Sequence, residues 1–174
     1  SKQPNKDIIQ QLINSYFRQR FQNFNWVEEP LTTPKDFKDE LRGDFKKEFK
    51  VGEETIKILI EVEFGNVASS YRDYFKFQLS YAYDYADICI LIVPLDKLGK
   101  RIDSGVSNFE KTCKELPSAK LSITVPILVI GLDPEGEKEW DVKVLEPNLD
   151  ILKNANKGVR SKHTKIIKDY IAKL

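Results

Sequence analysis

Hydrophobic positions recur at two spacings along this chain, and the changes between them predict its elements. From residue 7 to about residue 24, Ile8, Leu12, Ile13, Phe17 and Phe21 fall mostly three and four apart, the pattern of an amphipathic helix. Asn25-Trp26-Val27-Glu28-Glu29-Pro30 reads as a short strand stopped by proline. Thr33-Pro34-Lys35-Asp36 reads as a helix start with proline at the first position, predicting a short helix to about Leu41. Residues 44–50 and 55–64 then read as the arms of a hairpin across Val51-Gly52-Glu53-Glu54.

A second long helix is predicted from about residue 69 to residue 85, with Phe75, Leu79, Ala82 and Ala86 forming one stripe. The unbroken apolar run Ile88-Cys89-Ile90-Leu91-Ile92-Val93, ended by Pro94, suits a central strand covered on both faces. Residues 106–116 read as a helix and residues 122–130 as a second buried strand. Residues 140–144 read as an edge strand after the turn Asp133-Pro134-Glu135-Gly136. The last helix, about 161–173, turns Ile166, Ile167, Tyr170 and Ile171 inward. No internal repeat or linker interrupts this order, so one α/β domain is expected.

Composition narrows the class. At 174 residues, with 41% hydrophobic and 32% charged residues, the chain suits one soluble domain that buries a full core without staples. No window reaches the apolar length of a membrane span, and the polar residues 1–7 lack the core of a signal peptide. A cytoplasmic protein with no membrane partner is expected. Cys89, in an apolar run, and Cys113, in a helical pattern, read as reduced core residues. The single histidine, His163, excludes a Cys/His zinc site and reads as a solvated residue on the last helix. No serine or cysteine is marked as a nucleophile. The net charge of +1 decides nothing about nucleic acid. Residues 157–174, however, hold six basic side chains against Asp169 alone, while 28–64 and 133–146 are acid-rich. That asymmetry fits a DNA nuclease and a solvated helix face equally well.

The chemistry concentrates on Glu61 and Glu63. Two apart on a strand, they project from the same face. Acids so placed on a buried strand repel each other unless a cation lies between them. With the hairpin turn centred on residues 51–53, Asp44 stands opposite about residue 60, within side-chain reach of Glu61. Three carboxylates gathered this way can hold one or two Mg²⁺ ions, which bind few protein ligands and keep several waters. Such an ion polarises a phosphodiester, lowers the pKa of a bound water and neutralises developing charge. A metal-dependent hydrolase is the reading, against a plainer one in which solvated glutamates line a strand edge.

The order helix, strand, two-stranded hairpin, helix, strand resembles the αβββαβ core of the PD-(D/E)xK nucleases over residues 7–93. Within that superfamily the chain resembles the type II restriction endonucleases of the BamHI, BglII and BstYI group. The resemblance is carried by Ile60 through Phe64-Gly65-Asn66 and the aromatic helix to Tyr85. It continues through Ala86-Asp87-Ile88 to Val93-Pro94 and the Arg101-Ile102-Asp103-Ser104-Gly105 loop. In that group the usual Glu-x-Lys becomes Glu-x-Glu or Glu-x-Gln, here Glu61-Val62-Glu63. The resemblance implies a restriction-endonuclease-like α/β fold with a mixed central sheet flanked by helices. Recognition and dimerisation elements would lie at about 66–116 and in the C-terminal part. Asp44 would be the metal-bridging aspartate, Glu61 the second metal ligand, and Glu63 would stand where most relatives carry the general-base lysine. Glu28 and Glu29 are both candidates for a fourth acid. The activity implied is that of a Mg²⁺-dependent homodimer. It would cut a short palindromic double-stranded DNA site containing GATC and leave 5′ overhangs.

Candidate DNA-reading residues fall in two groups. Asn66, Ser69, Ser70 and Arg72 occupy the turn and first helical turn after the acidic strand. Arg101, Asp103 and Ser104 follow the 88–93 strand, where loops meet ligands in α/β folds. Arginine to guanine and asparagine to adenine are the geometrically favoured base contacts. Ser69 and Asp103 serve equally well as helix caps. Tyr71, Tyr74, Tyr81, Tyr83 and Tyr85 exceed what one core-facing stripe needs, which suggests either a dimer face or an ordinary amphipathic helix. Two rival functions remain: a repair or recombination nuclease of the same fold that reads DNA structure, and a catalytically silent DNA-binding or interaction module.

Overall fold

Five strands pair in chain order in the computed structural model, which describes residues 7–35, 40–119, 122–135, 141–153 and 157–171. They are β1 (Val27–Glu28), β2 (Phe45–Val51), β3 (Glu54–Val62), β4 (Ile88–Pro94) and β5 (Ile127–Leu132). The first three run antiparallel, and β3, β4 and β5 run parallel, giving a mixed sheet. Gly52 and Glu53 alone join β2 to β3, and Gly52 takes φ +64, a conformation that glycine adopts without strain. This tight turn sets the register: Val51 lies opposite Glu54 and Phe45 opposite Ile60.

Parallel pairing requires crossovers, and helices supply them. α1 (Gln10–Asn23) precedes the sheet and α2 (Val67–Ala82) links β3 to β4. α3 (Asp96–Ile102) and α4 (Phe109–Ser118) lie between β4 and β5, and α5 (Leu149–Leu152) and α6 (Lys157–Ile171) follow. The two-residue alternation of the strands sorts the core into two layers. Leu59, Cys89, Leu91 and Val93 pack with Tyr74 and Phe77 of α2 and with Phe109 of α4. Phe45, Ile60, Val62 and Ile92 pack on the other face with Leu98 and Ile102 of α3 and with Phe17 and Phe21 of α1. A third cluster joins Ile9 and Leu12 to Leu152, Ile166 and Ile167. Phe77 and Leu91 are wholly buried, and each such side chain stabilises the fold by about 1.5–3 kcal/mol.

Several local expectations are corrected. The stripe on α2 is rotated from the one predicted: Phe75 is 59% exposed and Ala82 is exposed, while Ser70, Asp73, Tyr74, Phe77 and Ser80 face inward. A polar buried face cannot be recognised from apolar periodicity. The predicted strand over 122–130 is β5, shifted toward its C-terminal end and lying at the sheet edge, with Leu128 54% exposed. Residues 142–144 form a 3-10 turn capped by Asp141 rather than an edge strand, and Trp140 lies outside the described residues. The predicted helix from Pro34 falls largely on residues 36–39, outside those described. Around it the chain pairs in extended form, Leu31 with Arg42, and Thr32 N–H donates to the Leu41 carbonyl at 2.9 Å. The helix expected at residue 106 begins at Phe109, where the Asn108 side chain accepts from Lys111 N–H at 2.9 Å, and α3 was not foreseen.

Cys113 is exposed rather than in the core, while Cys89 is buried. His163 is 2% exposed instead of solvated. Its Nε2 lies 2.9 Å from the Leu152 carbonyl and its Nδ1 2.9 Å from Ser15 Oγ, tying α6 to α5 and α1. A carbonyl only accepts, so Nε2 carries the proton and Nδ1 accepts from the Ser15 hydroxyl. Among the described residues no helix is long and apolar enough to cross a membrane.

Candidate functional site

Asp44 immediately precedes β2, and the Phe45–Ile60 register carries it across from Glu61. Its Oδ2 accepts the Val62 N–H at 2.8 Å. The surrounding backbone is strapped to the segment after β1: Glu29 N–H donates to the Asp44 carbonyl and Gly43 N–H to the Pro30 carbonyl, each at 3.0 Å. Glycine at position 43 answers to crowding. A Cβ there would lie 2.6 Å from Leu59 Cδ1 and 3.3 Å from Glu61 Oε1.

Glu61 is 3% exposed and points at α2. Lys76 Nζ lies 2.7 Å from Glu61 Oε1 and 2.9 Å from Asp73 Oδ1, and donates to the Arg42 carbonyl at 3.4 Å. The ammonium is the cation that meets this buried Glu61 oxygen, and it is shared with Asp73. Glu63 stands just past β3, half-buried, where its N–H donates to the Ile92 carbonyl at 2.9 Å and its Oε1 accepts from Gly65 N–H. Asp73 and Lys76 lie one turn apart on α2 and both are buried.

The electrostatics follow from packing four acids against one ammonium. Burial pushes the Asp44 carboxyl up, opposed by the Val62 hydrogen bond and by Lys76. Burial, then Asp44, drives Glu61 well above the usual carboxylate range, against the pull of Lys76. Burial and the neighbouring Asp73 push Glu63 up to about 8, opposed by the Gly65 N–H. Burial depresses Lys76, but Glu61 and Asp73 outweigh it and hold the ammonium above its ordinary value. These acids are short of positive charge.

Asp44, Glu61 and Glu63 are thus electrostatic neighbours at one end of the hairpin. Asp73 and Lys76 belong with them, and no sequence reading marked either. Their only local signal is an acid and a lysine three apart on the helix that follows the acidic strand. Among the described residues no three His, Cys, Asp or Glu side chains stand at metal-ligating spacing, and Lys76 Nζ occupies the space between Glu61 and Asp73. The proposed fourth acids are engaged elsewhere. Glu28 accepts from Arg18 and, at 2.7 Å, from Gln22, while Glu29 lies 3.8 Å from Arg160.

The two groups of candidate DNA readers are brought side by side. Asn66 pairs antiparallel with Val106, Val67 N–H donates to the Gly105 carbonyl, and Ser107 N–H donates to the Gly65 carbonyl, both at 3.1 Å. The 103–107 loop is thereby fastened to the end of β3. Asn66 also caps α2, its side chain accepting from Ser69 N–H at 3.2 Å. Arg72 is exposed, Ser69 is half-buried, and Ser70 is fully buried with no access to a groove. Arg101 closes α3 rather than sitting in a loop, and its guanidinium pairs with Asp7 at 2.6 Å. Asp103 accepts from the Ser104 N–H at 2.6 Å and does not cap the next helix, whose cap is Asn108. The tyrosines divide: Tyr71, Tyr81 and Tyr83 are exposed, Tyr74 is buried, and Tyr85 lies half-buried with Lys46 Nζ 5.7 Å from its ring centre.

The sequence profile described as Restriction endonuclease BglII/BglIII matches residues 1–132. The chain is similar to the type II restriction enzyme BamHI of Bacillus amyloliquefaciens, with 26% identity over 152 residues. That alignment covers 85% of this chain and 65% of the length of the relative.

Proposed function

The chain belongs to the BglII/BglIII family of restriction endonucleases, and from that premise we propose that it hydrolyses phosphodiester bonds in a short palindromic double-stranded DNA site with the help of Mg²⁺. The observation that carries the reading is the placement of Asp44 across the hairpin from Glu61, with Glu63 two residues beyond and the Asp73–Lys76 pair above them.

The donor set fits a hard divalent cation. All four acids offer oxygen, and burial together with crowding of acid on acid raises the carboxyls of Asp44, Glu61 and Glu63, a surplus that a divalent cation would neutralise. Asp44 and Glu61 would hold the ion. When bound, it supplies polarisation of the phosphate, a more acidic water and charge neutralisation. Glu63 orients the attacking water and accepts its proton as the new O–P bond forms and the bond to the leaving sugar oxygen breaks. The Gly65 N–H keeps the Glu63 carboxylate aimed during that transfer.

Base reading falls to the paired edge formed by Asn66 and the 103–107 loop, with Arg72 beside it. GATC within the site and 5′ overhangs are part of the same proposal, carried by the resemblance of the segment from Ile60 to Tyr85 to the BamHI, BglII and BstYI group. A palindrome presents two equivalent strands, so a two-fold dimer supplies one site to each. The exposed Tyr71 and Phe75 on α2 offer one apolar surface for it.

The test is direct. Unmodified plasmid and GATC-containing duplexes are incubated with the protein in Mg²⁺ or in chelator, and fragment ends are sequenced. Discrete metal-dependent fragments with a common palindrome are expected. Cutting that follows branches or lesions instead would replace this reading with a structure-reading nuclease, and no cutting would leave a binding module.

A further inference from the structure

We propose that Lys76 is a built-in counter-ion that stands in for the divalent cation and competes with it for Glu61 and Asp73. The inference rests on the reading of Asp44 and Glu61 as metal-holding acids and adds a residue that sets how tightly they hold. Lys76 lies on α2, outside the Glu61-Val62-Glu63 motif, yet its ammonium is 2.7 Å from Glu61 and 2.9 Å from Asp73. All three side chains are buried. One ammonium serves two acids here, with Asp44 and Glu63 adjoining, so the acids outnumber the positive charge available to them.

Glu61 Oε1 is buried and meets the ammonium that also serves Asp73, so one positive charge is divided between two acids. An ammonium at 2.7 Å and a divalent cation on the same carboxylate repel at short range, so each weakens the hold of the other. A route of retreat exists. Nζ already lies 3.4 Å from the Arg42 carbonyl, an acceptor within reach of a flexible four-carbon stem. Without the divalent cation, the lysine relieves acid repulsion that would otherwise weaken the packing of α2 on the sheet.

Ca²⁺ binding to the full chain, followed by calorimetry with melting temperatures alongside, tests this without cleavage. Lys76→Met removes the charge and preserves much of the stem. It is expected to bind Ca²⁺ at least about tenfold more tightly than the parent, a difference within reach of one removed competing charge. Its metal-free melting temperature should fall and its rise on Ca²⁺ addition should exceed that of the parent. Lys76→Arg keeps the charge and should bind no more tightly than the parent. Unchanged or weaker Ca²⁺ affinity in Lys76→Met overturns the inference. If that variant is unfolded without metal, Ca²⁺ should restore its circular dichroism, and failure to do so also overturns it. Glu61→Gln separates the two levels of argument. Binding lost in Glu61→Gln but unchanged in Lys76→Met sinks only the role of Lys76, whereas no binding by the parent or by Lys76→Met sinks the metal reading with it.

Discussion

Asp44 Oδ2 accepts a 2.8 Å hydrogen bond from the backbone N–H of Val62, the residue that separates Glu61 from Glu63. The acid before β2 is thereby tied to the spine of the acidic motif on β3, so its carboxylate cannot drift from the two glutamates. The bond also opposes the rise in pKa that burial imposes on Asp44.

Replacing Asp44 or Glu61 by alanine should abolish Ca²⁺ binding and lower plasmid cleavage by at least about a hundredfold, the scale of losing one preorganised charge-stabilising group. DNA binding should persist or tighten, because negative charge near the phosphates falls. Asp44→Ala also strands the Val62 N–H, at about 1–3 kcal/mol, partly offset by relief of repulsion with Glu61. Full cleavage by either variant would remove both residues from the active site.

Glu63→Gln separates charge from shape. The side chain keeps an acceptor for the Gly65 N–H but loses the ability to take a proton. Cleavage should fall only in part, while the metal-free fold is as stable as the parent or more so, since a crowded acid has become neutral. Parental cleavage rates in Glu63→Ala would make Glu63 a bystander.

Low pH should loosen α6. Burial holds the His163 imidazole below its ordinary value of 6.5, so the unfolded chain takes up the proton first. Stability from neutral His163 is present above that value and declines as pH falls through it toward the lower folded pKa. Between pH 8 and pH 5 the raised carboxyls of Glu61 and Glu63 add stability as pH falls. The His163 loss is therefore read as the difference between thermal melts of the parent and of His163→Asn, which should gain relative stability toward pH 5. An identical slope in both proteins would exclude a contribution from His163.

Gly43→Val tests the crowding beneath the site. Even the first carbon of a side chain at 43 meets Leu59 Cδ1 at 2.6 Å, and Leu59 is buried in the layer under α2. The substitution should destabilise by about 1–3 kcal/mol in urea unfolding. It should also weaken Ca²⁺ binding, because Glu61 Oε1 would lie only 3.3 Å from that carbon.

Specificity is best measured as a ratio. With Ca²⁺ replacing Mg²⁺, a GATC duplex should be preferred over a scrambled one by at least about a thousandfold, and salt should weaken both. Arg72→Ala should shrink that ratio if the residue reads a guanine and lower both affinities equally if it holds a phosphate. Arg101→Ala should act chiefly through its lost ion pair with Asp7, lowering the melting temperature more than the ratio.

Local counting along the chain was enough to set the β2–β3 hairpin. Its apolar and polar alternation has period two and its turn holds two residues, so Asp44 faces Glu61 wherever the hairpin is placed. The helical spacing around Leu12, Ile13, Phe17 and Phe21 likewise determined α1, and the run from Ile88 to Val93 determined a strand covered on both faces. Periodicity states which residues share a face, but not what will cover it. The rotation of α2 follows from what covers it: Tyr74 and Phe77 enter the layer with Leu59 and Leu91, Lys76 meets Glu61, and Phe75 is left in solvent. His163 became a buried joint because Ser15, 148 residues away, meets it when α6 packs on α1. The exposure of β5 depends on strand order, and Arg101 found Asp7 across 94 residues of chain. Polar groups can be buried when distant partners satisfy them, and only the tertiary structure supplies those partners.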